Sequence, residues 1–170
     1  FAVDAYSQKV GQEVRKGKVA LIKSNQVTEY YNTIQAAVSA ASVNDKIRIS
    51  AGTYSTTSVN IQLLAGIHIE GEGQNNTFIL NTATGSSHMF LMGDSVRFSN
   101  LTIRSTHATQ GVSLITNTGK KGVEFDHVTL QRDHFTLAGT LINSLGGYNT
   151  FRDCYLSDDG LIGVTPQSNS

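Results

Sequence analysis

A short pattern that recurs about every 26 residues constrains the fold more than any other feature of this sequence. Three segments align on a phenylalanine that is followed by two further apolar positions: SVRFSNLTIRS, GVEFDHVTLQR and YNTFRDCYLSD. Their phenylalanines, Phe98, Phe125 and Phe151, are separated by 27 and 26 residues. A looser copy, GIHIEGEGQNNTFIL, precedes them. A repeat of this length indicates a solenoid, in which each unit buries its apolar face against the next.

The repeats contain short alternating strands rather than helices. Gly, Asn, Ser and Thr interrupt them, and the short apolar runs MFLM, VSLI and TLI lie between the copies. Coils stacked about 4.8 Å apart let each strand bond to its copies above and below while the inward side chains form a column. The sequence therefore predicts an all-β fold, a short parallel β-helix of about four to five coils. A β-sandwich is the main alternative, but it does not explain the regular return of the phenylalanines.

Residues 30–41 have the spacing of an amphipathic helix that lies over the first coil. The predicted apolar face comprises Tyr30, Ile34, Ala37, Val38 and Ala41, with Asn32 or Thr33 as the N-cap. The alternating segment KIRIS follows as the first strand, and Gly52 permits the next turn. Because a first coil otherwise exposes its apolar column and its strand edge, we predict that this helix is a cap.

The segment before this helix is basic, with five lysine or arginine residues against two acidic residues in positions 1–26. Only VALI, residues 19–22, has a strand pattern there. One interpretation is a solvated arm whose strand joins the first coil, and the other is an anchor to a larger assembly. We therefore divide the chain into an N-terminal basic arm, residues 1–29, and a β-helix domain, residues 30–170. The end of that domain has no second amphipathic cap, so it is either truncated there or covered by another subunit.

Composition excludes several classes of partner. The formal net charge is zero, which argues against a nucleic-acid partner, and no apolar run reaches the ~18 residues of a membrane span.

The single cysteine, Cys154, cannot form an intrachain disulfide and is expected to be a buried free thiol. The histidines match no common zinc motif. We predict no metal and no cofactor; His127 and His134 would share a metal only if folding brought them together. The five histidines are His68, His88, His107, His127 and His134.

Four phrases near the start of the solenoid carry a family resemblance. They are YNTIQAAV, IRISAGTY, IHIEGEG and TFI, and FSNLTI extends them loosely toward residue 158. This wording resembles the entry into the β-helix of the pectin lyase-like superfamily, with the pectinesterases closest. The resemblance implies a right-handed helix. It does not imply one activity, since polysaccharide lyases, carbohydrate epimerases and phage tailspike or other virion proteins share this entry.

The pectinesterase resemblance nominates weak catalytic candidates, Gln110, Gln131, Asp133 and Asp159. Such an enzyme needs one carboxylate as nucleophile and a second, protonated one as acid, and Asp133 and Asp159 are one repeat apart. The match is imperfect, because Arg132 separates Gln131 from Asp133 and no arginine follows Arg152. A lyase would need acidic residues for calcium, and the one acidic cluster comprises Asp153, Asp158 and Asp159. A solvated turn is the simpler interpretation of that cluster.

We therefore expect a non-catalytic structural or adhesive module of a larger assembly, similar to phage tailspike and other virion β-helices. It would act as a homo-oligomer or with other assembly subunits, at a virion or extracellular surface, and contact polysaccharide. Tyr148 and Phe135 are candidates for stacking on sugar rings. The alternative function is a carbohydrate-active enzyme of the pectinesterase or polysaccharide lyase type. A bacterial surface adhesin is a third interpretation.

Overall fold

The structure, a computed structural model, describes residues 19–83, 88–106, 113–133, 141–145, 147–158 and 164–166. Within these ranges the fold is a mostly β solenoid of about four turns with one short helix. The early elements are β1 Val19–Ile22, β2 Thr28–Tyr31, α1 Ile34–Ala40, β3 Lys46–Ile49, β4 Gly52–Thr56, β5 Ile61–Gln62, β6 His68–Glu70, β7 Thr77–Asn81 and β8 His88–Leu91. The later strands are β9 Arg97–Ser105, β10 Ser113–Asn117, β11 Val123–Arg132, β12 Ile142–Leu145, β13 Asn149–Arg152, β14 Tyr155–Asp158 and β15 Val164–Pro166.

Each turn of the solenoid contributes strands to three parallel stacks. The first stack runs β3, β6, β9, β11, β13, and the second runs β4, β7, β9, β11, β14. The third runs β5, β8, β10, β12, β15. Strands β9 and β11 are long and each bends in its middle. The first half of each strand therefore belongs to the first stack and the second half to the second stack. This pairing confirms the predicted parallel β-helix and excludes the sandwich alternative.

The predicted phenylalanine column exists. Phe125 pairs in register with both Phe98 and Phe151, and Ile47 and Ile69 extend the column toward the first coil. The ring centroids of Phe98 and Phe125 are 5.7 Å apart at an interplanar angle of 3°, and those of Phe125 and Phe151 are 4.9 Å apart at 7°. The second predicted column is also in register, since Leu101 lies beside Val128 and Ile103 beside Leu130. In-register stacking therefore builds one continuous apolar core.

A column of residues with positive φ forms the bend between the first and second stacks. Asn100, His127 and Asp153 occupy it in successive coils, with φ values of 56°, 53° and 49°. Asn100 and His127 are one repeat apart in the sequence, so this bend follows the same period as the phenylalanines. Short polar side chains tolerate this left-handed region better than branched apolar ones. In the preceding coil Gly71 approaches this bend so closely that an added Cβ would lie 2.4 Å from the Asn100 carbonyl oxygen.

The chain before the first coil joins the first stack. Strand β1 pairs antiparallel with the outer edge of β3, and β2 pairs antiparallel with β1. The predicted strand at residues 19–22 is therefore confirmed, and so is its junction with the first coil. The boundary between the arm and the domain stays a prediction, and residues 1–18 lie outside the described residues.

The predicted helix forms, but it begins later than expected. Tyr30 lies in β2, because residues 28–31 pair with β1, and α1 begins at Ile34 after the N-cap Thr33. The Thr33 hydroxyl accepts a hydrogen bond from the Ala36 amide at 3.1 Å. The buried face comprises Ile34, Ala37 and Val38, all part of the core. Tyr30 was therefore wrongly assigned to the helix, while the choice of Thr33 as a cap is confirmed.

A buried carboxylate fastens these elements to the first coil. Asp45 precedes β3 and accepts hydrogen bonds from the backbone amides of Ser24 at 3.0 Å and Ser42 at 2.8 Å. Lys23 Nζ lies 3.5 Å from the same carboxylate. Asp45 thus connects the β1–β2 turn to the segment after α1. No helix in the described ranges is long and apolar enough to cross a membrane.

Candidate functional site

Of the four catalytic candidates, the structure describes Gln131 and Asp133, while Gln110 and Asp159 lie outside the described residues. Asp133 follows β11 and is mostly buried. One carboxylate oxygen accepts a hydrogen bond from Arg104 Nε at 2.6 Å, and the other accepts one from Gln131 Nε2 at 2.9 Å. Because Arg132 occupies the intervening inward position, Gln131 and Asp133 lie on the same side of the strand.

The contacts of Asp133 have a clear structural role. Arg104 and Gln131 each donate to one carboxylate oxygen and so fix the orientation of the group. The Asp133 backbone amide also donates to the Ser105 carbonyl at 3.0 Å. Asp133, Arg104 and Gln131 therefore fasten the end of β11 to β9. The geometry of the second carboxylate, Asp159, is not described, so the required pair stays a prediction.

The solvent face of the first stack carries ion pairs between successive coils. Lys46 Nζ lies 2.8 Å from Glu70, and Arg97 lies 2.7 Å from Asp126. Arg48 also contacts Glu70. Arg48 and Glu70 are partners in register, whereas the Lys46–Glu70 and Arg97–Asp126 contacts are diagonal, within reach of long side chains. Burial acts to raise the pKa of Glu70, but the hydrogen bonds and charges of Lys46 and Arg48 outweigh it and hold that pKa below its usual value.

His68 belongs to this face and stays neutral at physiological pH. Its pKa is lowered to about 4, chiefly by burial and also by the neighbouring charges of Lys46 and Arg97. His68 Nε2 lies 2.8 Å from the Ser99 hydroxyl. A neutral imidazole with one nitrogen held by a hydroxyl can donate or accept a hydrogen bond but does not add charge to the ladder.

Three ionisable side chains meet at the outer bend of the last two coils. His127 Nδ1 lies 2.8 Å from Asp126, and His127 Nε2 lies 3.5 Å from Asp153. Each of the three side chains offers one atom that could bind a metal ion, and these atoms all lie within 4.8 Å of one another. The hydrogen bond from His127 and the guanidinium of Arg97 hold the pKa of Asp126 below its usual range, although burial acts against them.

The donor set does not fit a metal ion well. Asp126 bonds to the Nδ1 side of His127 and to Arg97, which leaves Nε2 and the Asp153 carboxylate to face a common point. Two protein ligands are fewer than zinc or calcium sites normally use. The two carboxylates instead lie on either side of the His127 ring, and Arg97 forms an ion pair with Asp126. His134, which the sequence pairs with His127, lies outside the described residues, as does His107.

The last turn ends in an exposed apolar surface, which we call the end face and define as Tyr148, Phe151, Tyr155 and Leu156. Their exposed fractions are 88%, 37%, 61% and 41%. Strands β13 and β14 pair with β11 on one side, and no described strand pairs with their other side. The expected exposure of the last coil is therefore confirmed for these residues. In a solenoid, such a surface is covered either by further chain or by another protein.

Cys154 lies next to the end face and is half-buried rather than fully buried as predicted. Its thiol lies 3.4 Å from the Phe125 carbonyl and 3.2 Å from the Arg152 carbonyl. The last coil has no coil above it in the described ranges, so a position that would be interior elsewhere keeps partial access to solvent. Sequence alone assigns Cys154 correctly to the core column but not its place at the end of that column.

Comparison of the chain with protein-family models, with curated proteins and with solved structures finds no significant match to any of them. The assignment to the β-solenoid fold therefore depends on strand pairing and register alone.

Proposed function

We propose that this chain is a non-catalytic structural or adhesive module that joins a larger assembly through its end face. The proposal includes a right-handed winding and a capping role for α1, as in the pectin lyase-like superfamily. It also places the protein at a virion or extracellular surface, in the manner of a tailspike. The burial of Ile34, Ala37 and Val38 of α1 in the core supports the capping role.

The observation that carries the proposal is the change in burial along one side-chain column. Phe98 and Phe125 are fully enclosed between neighbouring coils, whereas Phe151 has a ring on one side only. Tyr155 and Leu156 extend the exposed area beside it. Covering a large apolar side chain contributes about 1.5–3 kcal/mol. A partner that covers the end face would therefore gain several such contributions to the free energy of binding.

The unpaired edges of β13 and β14 belong to the same surface and favour a partner that adds a strand there. A partner strand can bond to the backbone of these strands while its side chains continue the apolar columns. A second copy of the chain or another assembly subunit fits this description. Tyr148 is the most exposed residue of the end face and is the aromatic platform that we assign to polysaccharide contact.

The decisive measurement is the mass of the full chain in solution, by size exclusion coupled to light scattering. We expect an oligomer that Tyr155→Lys dissociates, because a charge at the centre of the end face cannot be desolvated. Tyr30→Lys is the matched control, since Tyr30 is also an exposed aromatic side chain but lies in β2 at the other end. A monomer across the micromolar range would overturn homo-oligomerisation, and failure to bind any co-assembling subunit would overturn the module itself.

Enzymatic assays test the alternative directly. We expect no release of methyl ester or unsaturated uronate from pectin-like polymers, because Arg132 interrupts the Gln-Asp pair that the resemblance requires and no arginine follows Arg152. Activity that Asp133→Asn abolishes would contradict the non-catalytic assignment. The circular dichroism spectrum of the variant must match that of the parent chain for the comparison to count.

A further inference from the structure

A groove of about 570 Å³ lies between the start of α1 and the edge of β4. Its floor contains the buried side chains of Ile61, Ile79 and Phe90. Its rim carries amides and hydroxyls, and no residue that lines it is charged. The rim residues include Asn32, Thr33, Gln35, Thr53, Ser55 and Thr56. An uncharged groove with an apolar floor favours an occupant that brings an apolar side chain and few charges inward.

One wall of this groove is an unpaired strand edge. Gly52 donates its amide to Asn76 at 2.7 Å, and the Thr56 carbonyl accepts from Thr82 at 2.9 Å. The even-numbered residues of β4 therefore direct their backbone groups to β7. By alternation, Thr53 and Ser55 direct theirs away from β7, and no described strand pairs with that side. Two amides and two carbonyls thus face the groove at strand spacing, which is what an added polypeptide strand requires.

The adjacent strand shows how such an edge is completed in this molecule. The same side of β3 is covered by β1, which runs antiparallel and pairs Val19 with Ile49. Followed backwards from Val19, the chain leaves β3 in the direction of Gly52, where β4 begins. Val19 is therefore at the end of β1 that lies nearest to the open edge of β4.

We propose that residues 12–16 of the chain complete this edge as an antiparallel strand on β4. Carrying the one-to-one pairing of β1 with β3 past the bend between Ile49 and Gly52 places Lys16 opposite Gly52 and Val14 opposite Tyr54. The five residues QEVRK match the five residues of β4, and glycines at 11 and 17 flank them where the chain must bend. Tyr54 pairs in register with Ile79, a fully buried residue, so the side chain opposite Tyr54 turns toward the core. Val14 is the apolar residue that this register supplies.

Amide hydrogen exchange of the full chain by NMR tests the proposal. In the proposed pairing the Thr53 amide donates to the carbonyl of residue 15, and the Ser55 amide donates to that of residue 13. We expect both amides to exchange at least ~100-fold more slowly than unprotected amides, as paired strand amides do. The Tyr54 amide faces β7 and is the internal control for an intact β4. Exchange of Thr53 and Ser55 at the unprotected rate beside a protected Tyr54 would overturn the proposal.

Two adjacent proline substitutions test the register. Arg15→Pro removes an amide that would face β4, so it should lower the protection of Thr53 and Ser55 at least ~10-fold. Lys16→Pro removes the same charge at a position whose amide would face solvent, where an edge strand tolerates proline. Equal loss of protection in both variants, or in neither, would overturn the assigned pairing. Protection that rises with protein concentration would show that a neighbouring copy supplies the strand, which also overturns it.

Discussion

At the scale of single residues, the solenoid packs each side chain against the equivalent side chains one coil above and one coil below. The apolar positions stack like on like, as the parallel rings of Phe98 and Phe125 show. Some charged side chains instead face the opposite charge on the next coil, as Arg48 does with Glu70, its partner in register. A residue is therefore acceptable at a position only if it suits two neighbours that lie about 4.8 Å away.

The central ring of the core column should matter more than the terminal ring. We expect Phe98→Ala to lower the free energy of unfolding by about 3–5 kcal/mol, because it leaves a cavity between two coils. Phe151→Ala is the matched control and should cost clearly less, since Phe151 packs on one side only. Urea unfolding followed by circular dichroism measures both. Equal losses would mean that Phe151 is as enclosed in solution as Phe98.

His68 should make stability depend on pH above the range of the carboxylates. Its pKa of about 4 in the folded chain lies below the usual 6.5, so the unfolded chain binds more protons between these values. Stability should therefore fall as the pH drops from about 6.5 toward 4. Burial lowers the pKa of His88 too, so His68→Gln should remove only part of this slope. Glu70, whose pKa is depressed, adds its loss at lower pH.

Urea midpoints at pH 7 and pH 5 measure this dependence. The His68→Gln variant should lose less stability between the two values than the parent chain does. An unchanged difference would show that His68 carries a proton equally readily in the folded and unfolded chains.

At the scale of elements, α1 illustrates how little a short helix contributes by itself. Seven residues are too few for a stable isolated helix in water, so its formation depends on the burial of Ile34, Ala37 and Val38. Its position depends on the N-cap, because Thr33 is extended and its hydroxyl holds the Ala36 amide. Packing thus forms the helix, and the cap decides where it begins.

Removal of the cap should be measurable without unfolding the core. Thr33→Ala leaves the Ala36 amide without its partner and should cost about 0.5–2 kcal/mol. Thr33→Ser keeps the hydroxyl and serves as the control, with a loss well below that of alanine. Thermal unfolding of the three chains in parallel tests this. A Thr33→Ala variant as stable as Thr33→Ser would contradict the capping role of the hydroxyl.

At the scale of the whole molecule, stability should not be uniform along the solenoid axis. Each coil contacts only its neighbours, so an inner coil has two partners and an outer coil has one. Strand β11 pairs on both sides, with β9 and with β13 and β14. The described partners of β13 and β14 lie on one side. The last turn is therefore expected to open before the centre does.

Hydrogen exchange in dilute, monomeric protein should show this gradient. Amides in β13 and β14 should exchange at least ~100-fold faster than those in β9 and β11, because opening the last coil breaks fewer contacts. Protection in β13 and β14 that rises as the chain assembles would agree with contact through the end face. Uniform protection at all concentrations would contradict the nearest-neighbour description.

The repeat, the strands and the columns could be read from local spacing alone. Phe98, Phe125 and Phe151 could be aligned from their spacing, because every coil reuses the same local pattern and stacking adds no new information. The bend at Asn100 and His127 was predictable for the same reason. Cys154 was assignable to a column, though not to the half-buried position at its end.

Pairing between distant residues, in contrast, could be read only from the fold. Tyr30 lies in β2 and not in the predicted helix, because its backbone pairs with β1. Local sequence does not reveal that pairing. Asp133 accepts a hydrogen bond from Arg104, 29 residues earlier, and no local pattern in the sequence indicates this contact. His68 acquired its low pKa from burial and from cations on neighbouring coils. Local periodicity is enough to predict the strands and the inward positions of a coil. Desolvation and ion pairing depend on which side chains the stacking brings together.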